Sequence, residues 1–132
     1  VAPDAILLDA PCSATGTIRR HPDVAWHKKP EDIKRLLETQ YKLLNHALDI
    51  LKSGGTLVYA VCSLQPEEGE QQISKILSKR DDVSLLAVDP AIIGDMKECI
   101  TKRGEVRTLP FHLAESGGMD GFYAAVLVKK EK

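Results

Sequence analysis

Apolar and polar residues come in blocks along this chain, and the period of each block predicts an element. Ala5-Ile6-Leu7-Leu8 is a short continuous apolar run, the pattern of a strand buried on both faces, as in a parallel sheet. Asp9-Ala10-Pro11 ends it, because proline has no N–H to give to a ladder. A long polar loop fills residues 13–29. The period then changes. Ile33, Leu36, Leu37, Tyr41, Leu44, Leu48 and Leu51 recur at three- and four-residue steps and predict one face of a helix. Pro30 suits its first turn, Glu31 and Asp32 complement the dipole there, and Ser53-Gly54-Gly55 stops it. Residues 56–61 predict a second buried strand. Pro66-Glu67-Glu68 predicts the start of a second helix, with Ile73, Ile76 and Leu77 on its inner face and Glu67, Glu68 and Glu70 on an exposed helix start, where one of the three can instead help position the loop after Cys62. A third strand is expected over 83–88, a loop with a short helical turn over 90–103, a short strand over 106–109 and a last strand over 122–128. Lys129, Lys130 and Lys132 read as a solvated tail.

Strands alternating with helices predict an α/β fold built on an open parallel sheet. Ligands of such sheets sit at the carboxyl ends of the strands. Asp9 and Cys12 follow the first strand and Cys62 follows the second, so all three are expected at one edge. The composition, 43% hydrophobic and 28% charged over 132 residues, suits one core. A net charge of −1 supplies no electrostatic argument for nucleic acid. Three cysteines, an odd number with no leader pattern, predict free thiols in a reducing, cytoplasmic compartment. No apolar run approaches the roughly 20 residues that span a bilayer, so no membrane partner is expected. Starting at Val1 and entering an apolar run almost at once, the sequence reads as a piece of a longer protein.

The two strand-like runs both end in Cys-Ser, at Cys12 and again 50 residues on at Cys62. A cysteine after a strand is often a small buried hydrophobe, the reading given to Cys99. Zinc would need ligand spacings that the cysteines and four histidines lack, so no metal is expected. A disulfide is geometrically conceivable but out of place in the cytosol. Covalent catalysis is the sharper reading. C5 of cytosine is too weak a nucleophile to take a methyl group unless a thiolate first adds to C6. A cysteine between a strand and a helix N-terminus gains from the dipole, as Cys62 would near Pro66-Glu67. Asp9 can hold the amino group and ring nitrogen of cytosine as charge develops. Both cysteines follow a strand end, and that placement alone does not separate them.

These residues carry a resemblance. Asp9-Ala10-Pro11-Cys12-Ser13-Ala14-Thr15-Gly16 and Tyr59-Ala60-Val61-Cys62-Ser63 resemble two signature motifs of the Sun (Fmu) type of RNA cytosine-5 methyltransferases. The stretch Ile18-Arg19-Arg20-His21-Pro22-Asp23-Val24-Ala25-Trp26 resembles the bacterial branch that modifies small-subunit ribosomal RNA, as do Ser53-Gly54-Gly55-Thr56-Leu57-Val58-Tyr59 and Asp120-Gly121-Phe122-Tyr123-Ala124. The likeness covers nearly the whole chain and is weakest over 84–106. Val61 stands where the family often has threonine.

The resemblance implies the C-terminal half of a Rossmann-like methyltransferase sheet with flanking helices. It implies S-adenosylmethionine as methyl donor and ribosomal RNA as partner. Cys62 matches the nucleophile that attacks C6, and Cys12 matches the second cysteine, associated with resolving the adduct. Asp9 matches an aspartate between methyl donor and base, and so borders the cofactor. Pro11 shapes its loop. In this fold the donor lies on a glycine-rich turn after the first strand of the sheet. Gly54-Gly55 precedes a strand and Gly117-Gly118 precedes no helix, so residues 1–132 are expected to be one partial domain lacking that cofactor half. Alone it is expected to bind S-adenosylmethionine poorly, to be inactive, and to self-associate through exposed apolar surface.

Arg19, Arg20, His21 and Lys28 can contact phosphates, with Trp26 stacking or packing beside them; a solvated loop is the bland alternative. Tyr41 and His112 read as structural. Two rivals stand beside the methyltransferase: a non-catalytic RNA-binding module using the Arg19-to-Trp26 loop, and a thiol redox protein. The second is weakened because redox cysteines are usually two residues apart.

Overall fold

A computed structural model describes residues 2–18, 20, 29–110, 112 and 119–131. The elements are β1 (Ala5–Asp9), α1 (Pro30–Ile50), β2 (Thr56–Val61), α2 (Glu70–Lys79), β3 (Val83–Leu86), β4 (Val106–Thr108) and β5 (Phe122–Lys129). Short 3-10 turns cover Thr15–Thr17, Pro90–Ile93 and Lys97–Cys99, the last two within the segment expected to hold a short helical turn.

The sheet runs β1-β2-β5-β3, with β4 also on β5. Only β1 and β2 are parallel; β5 runs antiparallel between β2 and β3. The wholly parallel sheet expected from the alternation is therefore corrected. A parallel neighbour needs a crossover connection, and β5 instead pairs antiparallel with β2, β3 and β4. β3 pairs with the C-terminal half of β5 and β4 with its N-terminal half, so the two share one side of it.

Both helices cover the same face of the sheet. Leu44 and Leu48 of α1 and Ile73 and Ile76 of α2 share one core with Leu57, Tyr59 and Val61 of β2 and Tyr123, Ala125 and Leu127 of β5. Register places those strand residues together: Leu57 faces Leu127, Tyr59 faces Ala125, and Val61 faces Tyr123. Ile6 and Leu8 of β1 align with Leu57 and Tyr59 and pack on this core, whereas Leu7 points to the bare face and is 72% exposed. β1 was expected to be buried on both faces. Its burial alternates instead, because among the described residues no element covers the second face.

The helix ends follow local chemistry. Pro30 opens α1, and Asp32 Oδ2 accepts the Lys29 N–H at 3.0 Å. α1 closes at Ile50, with Leu51 already extended, and Gly54 turns at φ +82°, where a side chain would be strained. Lys129 does not belong to a solvated tail. Its ammonium donates to the carbonyls of Leu48 at 2.7 Å and Leu51 at 2.9 Å, capping the negative end of α1. The second helix starts later than expected: Pro66–Gly69 form a turn, and α2 begins at Glu70.

Candidate active site

β1 and β2 end side by side, with Asp9 opposite Ala60, so their following loops leave from one edge. Cys12 Sγ and Cys62 Sγ meet at 3.5 Å, both half-buried free thiols. Ala14 takes a left-handed conformation, φ 59°, and donates its N–H to Cys12 Sγ at 3.4 Å. Such a backbone is uncommon for a residue with a side chain and costs on the order of 1 kcal/mol. Burial pushes the Cys12 thiol up to about 12; the Ala14 N–H pulls it back, while Cys62 and then Glu68 push it further up. Cys12 is thus a protonated thiol at neutral pH, facing Cys62. Cys62 does not sit at a helix N-terminus, against expectation, because α2 starts eight residues later and the dipole acts over about one turn.

Backbone contacts hold the loops in register. Gly16 N–H donates to Cys62 O at 3.0 Å, and Gly121 N–H donates to Gly16 O at 2.7 Å. A Cβ on Gly16 would stand 1.8 Å from Gly121 O, and one on Gly121 would stand 2.2 Å from Leu64 Cδ2. Three of the segments that carried the resemblance therefore touch at one point, and the glycines are there for close approach. Thr15 Oγ1 accepts the Leu64 N–H at 2.9 Å, tying the two cysteine loops again.

Glu68 is fully buried, against the expectation of an exposed helix start. Its Oε1 accepts from Ser13 Oγ at 2.5 Å and Ser63 Oγ at 2.6 Å. Its Oε2 accepts from Ser13 N at 2.9 Å and Gln40 Nε2 at 2.8 Å. Tyr59 Oη donates to Glu68 O at 2.7 Å. Gln40 also donates to Pro11 O at 2.9 Å. The serine after each cysteine is thus a handle held by one carboxylate. Two signals in the sequence pointed here: Cys-Ser occurs twice, and Gln40 interrupts the apolar face of α1 at helical spacing from Leu37 and Leu44. On the far side of the loop, Arg107 pairs with Glu70 and donates to Ser63 O.

Asp9 is exposed at the end of β1. Arg20 forks onto Asp120 at 2.9, 2.8 and 2.5 Å, linking the loop after Cys12 to the strand-entry loop of β5. Arg19, His21, Trp26 and Lys28 lie outside the described residues. Cys99 and His112 are buried together, with Sγ to Nδ1 at 3.5 Å. Among the described residues, no group of three or more His, Cys, Asp or Glu is placed to hold a metal ion, and no helix is long and apolar enough to cross a membrane. A groove of about 450 Å³ runs between α1 and α2, lined by Leu37, Glu67 and Gln72 among others, and no cysteine borders it.

A sheet whose last strand is inserted antiparallel, with two free thiols on the loops after its parallel strands, fits a Rossmann-like methyltransferase domain, and solved structures place the chain in that class. A methyltransferase homolog from Pyrococcus horikoshii matches 98% of this chain and 40% of its own, with 36% identity and a TM-score of 0.70. NSun6 from Pyrococcus horikoshii, solved with SFG, matches 96% of this chain and 30% of its own, with 26% identity and a TM-score of 0.70. Residues 2–128 match the family model described as 16S rRNA methyltransferase RsmB/F, and the chain belongs to that family. Ribosomal RNA small subunit methyltransferase B of Citrobacter koseri is 48% identical over 96% of the chain. The chain spans about a quarter of that relative's length, 26% of it.

Proposed function

We propose that this chain supplies the base-side half of an RNA cytosine-5 methyltransferase acting on small-subunit ribosomal RNA. The observation that supports it most is the pair of thiols 3.5 Å apart at the strand ends. Cys62 is read as the nucleophile and Cys12 as its partner, roles taken from the family motifs. Cys62 as thiolate adds to C6, forming the S–C6 bond and pushing the C5–C6 π pair toward C5. S-adenosylmethionine supplies the methyl group that C5 then takes. Loss of the C5 proton to a base returns the electron pair, re-forms the C5–C6 double bond and expels Cys62 as thiolate. Cys12, protonated and in donor reach of Cys62 Sγ, stabilises that leaving thiolate, which accounts physically for a role in releasing the adduct.

Asp9, exposed at the end of an edge strand, fits a carboxylate shared between the cytosine edge and the donor. No other residue of this chain is assigned to the donor, and the isolated chain is expected to bind S-adenosylmethionine weakly and to transfer no methyl group. The target cytosine must leave any stack to bring C6 to Cys62. Arg19, Arg20 and Lys28 are read as phosphate contacts, with Arg20 exchanging Asp120 for the backbone of RNA.

The test uses the full-length protein that carries this chain. Cys62→Ala should abolish both methyl transfer and a denaturation-resistant RNA adduct, while Cys12→Ala should let the adduct accumulate. Methyl transfer that persists in Cys62→Ala refutes the assignment. RNA binding with no methyl transfer in the unmutated protein supports the RNA-binding module instead.

A further inference from the structure

Glu68 is a carboxylate with no exposed surface and no ion-pair partner among the described residues. Burying such a group is expensive unless every acceptor position is filled. Here all four are filled, and none of the four donors belongs to the helix that Glu68 precedes. Three come from the two serines that follow the cysteines. The fourth, Gln40, reaches on to the carbonyl of Pro11, the residue before Cys12. Gln40 is itself braced by Gln72 of α2, whose amide donates to Gln40 Oε1 at 3.2 Å. An apolar residue in this position would fill the space at lower desolvation cost. What it would not do is fix the loop after β1 against the loop after β2.

We propose that Glu68 is the positioning residue of the two-cysteine cycle: through Ser13 and Ser63 it sets the separation of Cys12 Sγ and Cys62 Sγ on which adduct formation and adduct release both depend. The inference rests on the covalent reading above. The two handles are separable. Ser63 orients the loop of the nucleophile, so its loss slows adduct formation. Ser13 orients the loop of the partner thiol, so its loss slows release. Glu68→Gln keeps the shape but replaces two acceptor positions with an amide NH₂. Oε2 must stay an acceptor, because Ser13 N and Gln40 Nε2 can only donate. The amide nitrogen therefore falls at Oε1, where both serine hydroxyls must reverse from donor to acceptor and exchange short charge-assisted bonds for longer neutral ones.

The experiment compares the full-length protein with its Glu68→Gln, Ser13→Ala, Ser63→Ala and Cys62→Ala variants in two measurements. The first is the rate of Cys12–Cys62 disulfide formation with oxidised glutathione, located by mass mapping. This reads thiol proximity without any methyl transfer. The second is single-turnover formation and decay of the RNA adduct. Glu68→Gln should slow disulfide formation about 10-fold and adduct formation about 100-fold, the scale expected of an ångström-sized misplacement, with RNA affinity within about 2-fold of the unmutated protein. Ser63→Ala should lower formation, and Ser13→Ala should lengthen the adduct's life. Unmutated rates in both measurements for Glu68→Gln overturn the proposal. If Glu68→Gln does not fold, the two serine variants decide, and equal effects of both on formation and on decay overturn it. Methyl transfer by Cys62→Ala would sink the covalent reading instead, leaving the disulfide measurement to report on Glu68 alone.

Discussion

Gly16→Ala should destabilise the protein by about 3 kcal/mol, although alanine for glycine in a turn without positive φ ordinarily stabilises by roughly 0.4–1 kcal/mol. Gly16 has no left-handed φ to protect. What forbids alanine is backbone on two sides: the new Cβ would lie 1.8 Å from Gly121 O, 2.6 Å from Gly121 C and 2.9 Å from Cys62 O. None of these atoms is the end of a side chain that can swing away. Relief requires the loops to part, breaking Gly16 N–H to Cys62 O and Gly121 N–H to Gly16 O. Two backbone bonds at about 1 kcal/mol each, plus about 1 kcal/mol of residual overpacking, give the figure.

Gly121→Ala meets a different obstacle. Its Cβ would stand 2.2 Å from Leu64 Cδ2 and 2.9 Å from Leu64 Cγ, and only at 3.0 Å from backbone at Gly16. A leucine side chain can be removed. Leu64→Ala should therefore recover about 1 kcal/mol of the Gly121→Ala loss and none of the Gly16→Ala loss. Urea unfolding of the six proteins in these two cycles measures both couplings. A Gly16→Ala midpoint within about 0.5 kcal/mol of the unmutated protein, or equal rescue of both variants by Leu64→Ala, would refute the argument from backbone crossing.

Burial and helix capping each carry one more expected outcome. Burial raises the Cys12 thiol to about 12 in the fold, from 9.0 when free, so the unfolded chain loses that proton first as pH rises. Its contribution to stability is complete below about pH 9 and is lost on the way to pH 12, and Cys12→Ala should flatten this alkaline limb in denaturant titrations. A limb that is unchanged in Cys12→Ala would contradict the burial argument. Lys129→Met removes the ammonium from the carbonyls of Leu48 and Leu51 and should cost about 1 kcal/mol, whereas Lys130→Met, an exposed neighbour, should change the midpoint by less than about 0.5 kcal/mol. Equal losses for the two lysines would mean that Lys129 acts by charge alone.

Periodicity exposed most of the frame because burial on this sheet is one-sided and regular. The stripe from Leu44 to Leu51, the runs 56–61 and 122–128, and the short strand near Val106 all lie where alternation places them. It misjudged β1 because a continuous apolar run looks the same whether both faces are covered or one is bare, and Leu7 is on the bare one. It misjudged the direction of β5 because strand polarity depends on how the connection returns, and the loop before Phe122 leaves no mark of that in hydropathy.

The site divides along a different line. That Cys12 and Cys62 share an edge follows from two strand ends and nothing more, which is why the spacing of the motifs was enough to pair them. Glu68 was legible only as one of three glutamates that could position the loop after Cys62, because an acidic residue after a proline reads as an exposed helix start and propensity carries no term for a partner 55 residues away. The serines betray it, together with Gln40. A catalytic thiol needs no serine beside it, so a serine following both cysteines asks for a common acceptor, and a third party must then lie between the two loops. The carboxylate that fills that place is reached from Ser13 Oγ at 2.5 Å and Ser63 Oγ at 2.6 Å. A repeated dipeptide in two loops that meet at a sheet edge therefore predicts a shared buried partner. Such a partner is best sought among polar residues that interrupt an apolar helix face, as Gln40 does, or that lie in the turn directly after one of the pair, as Glu68 does.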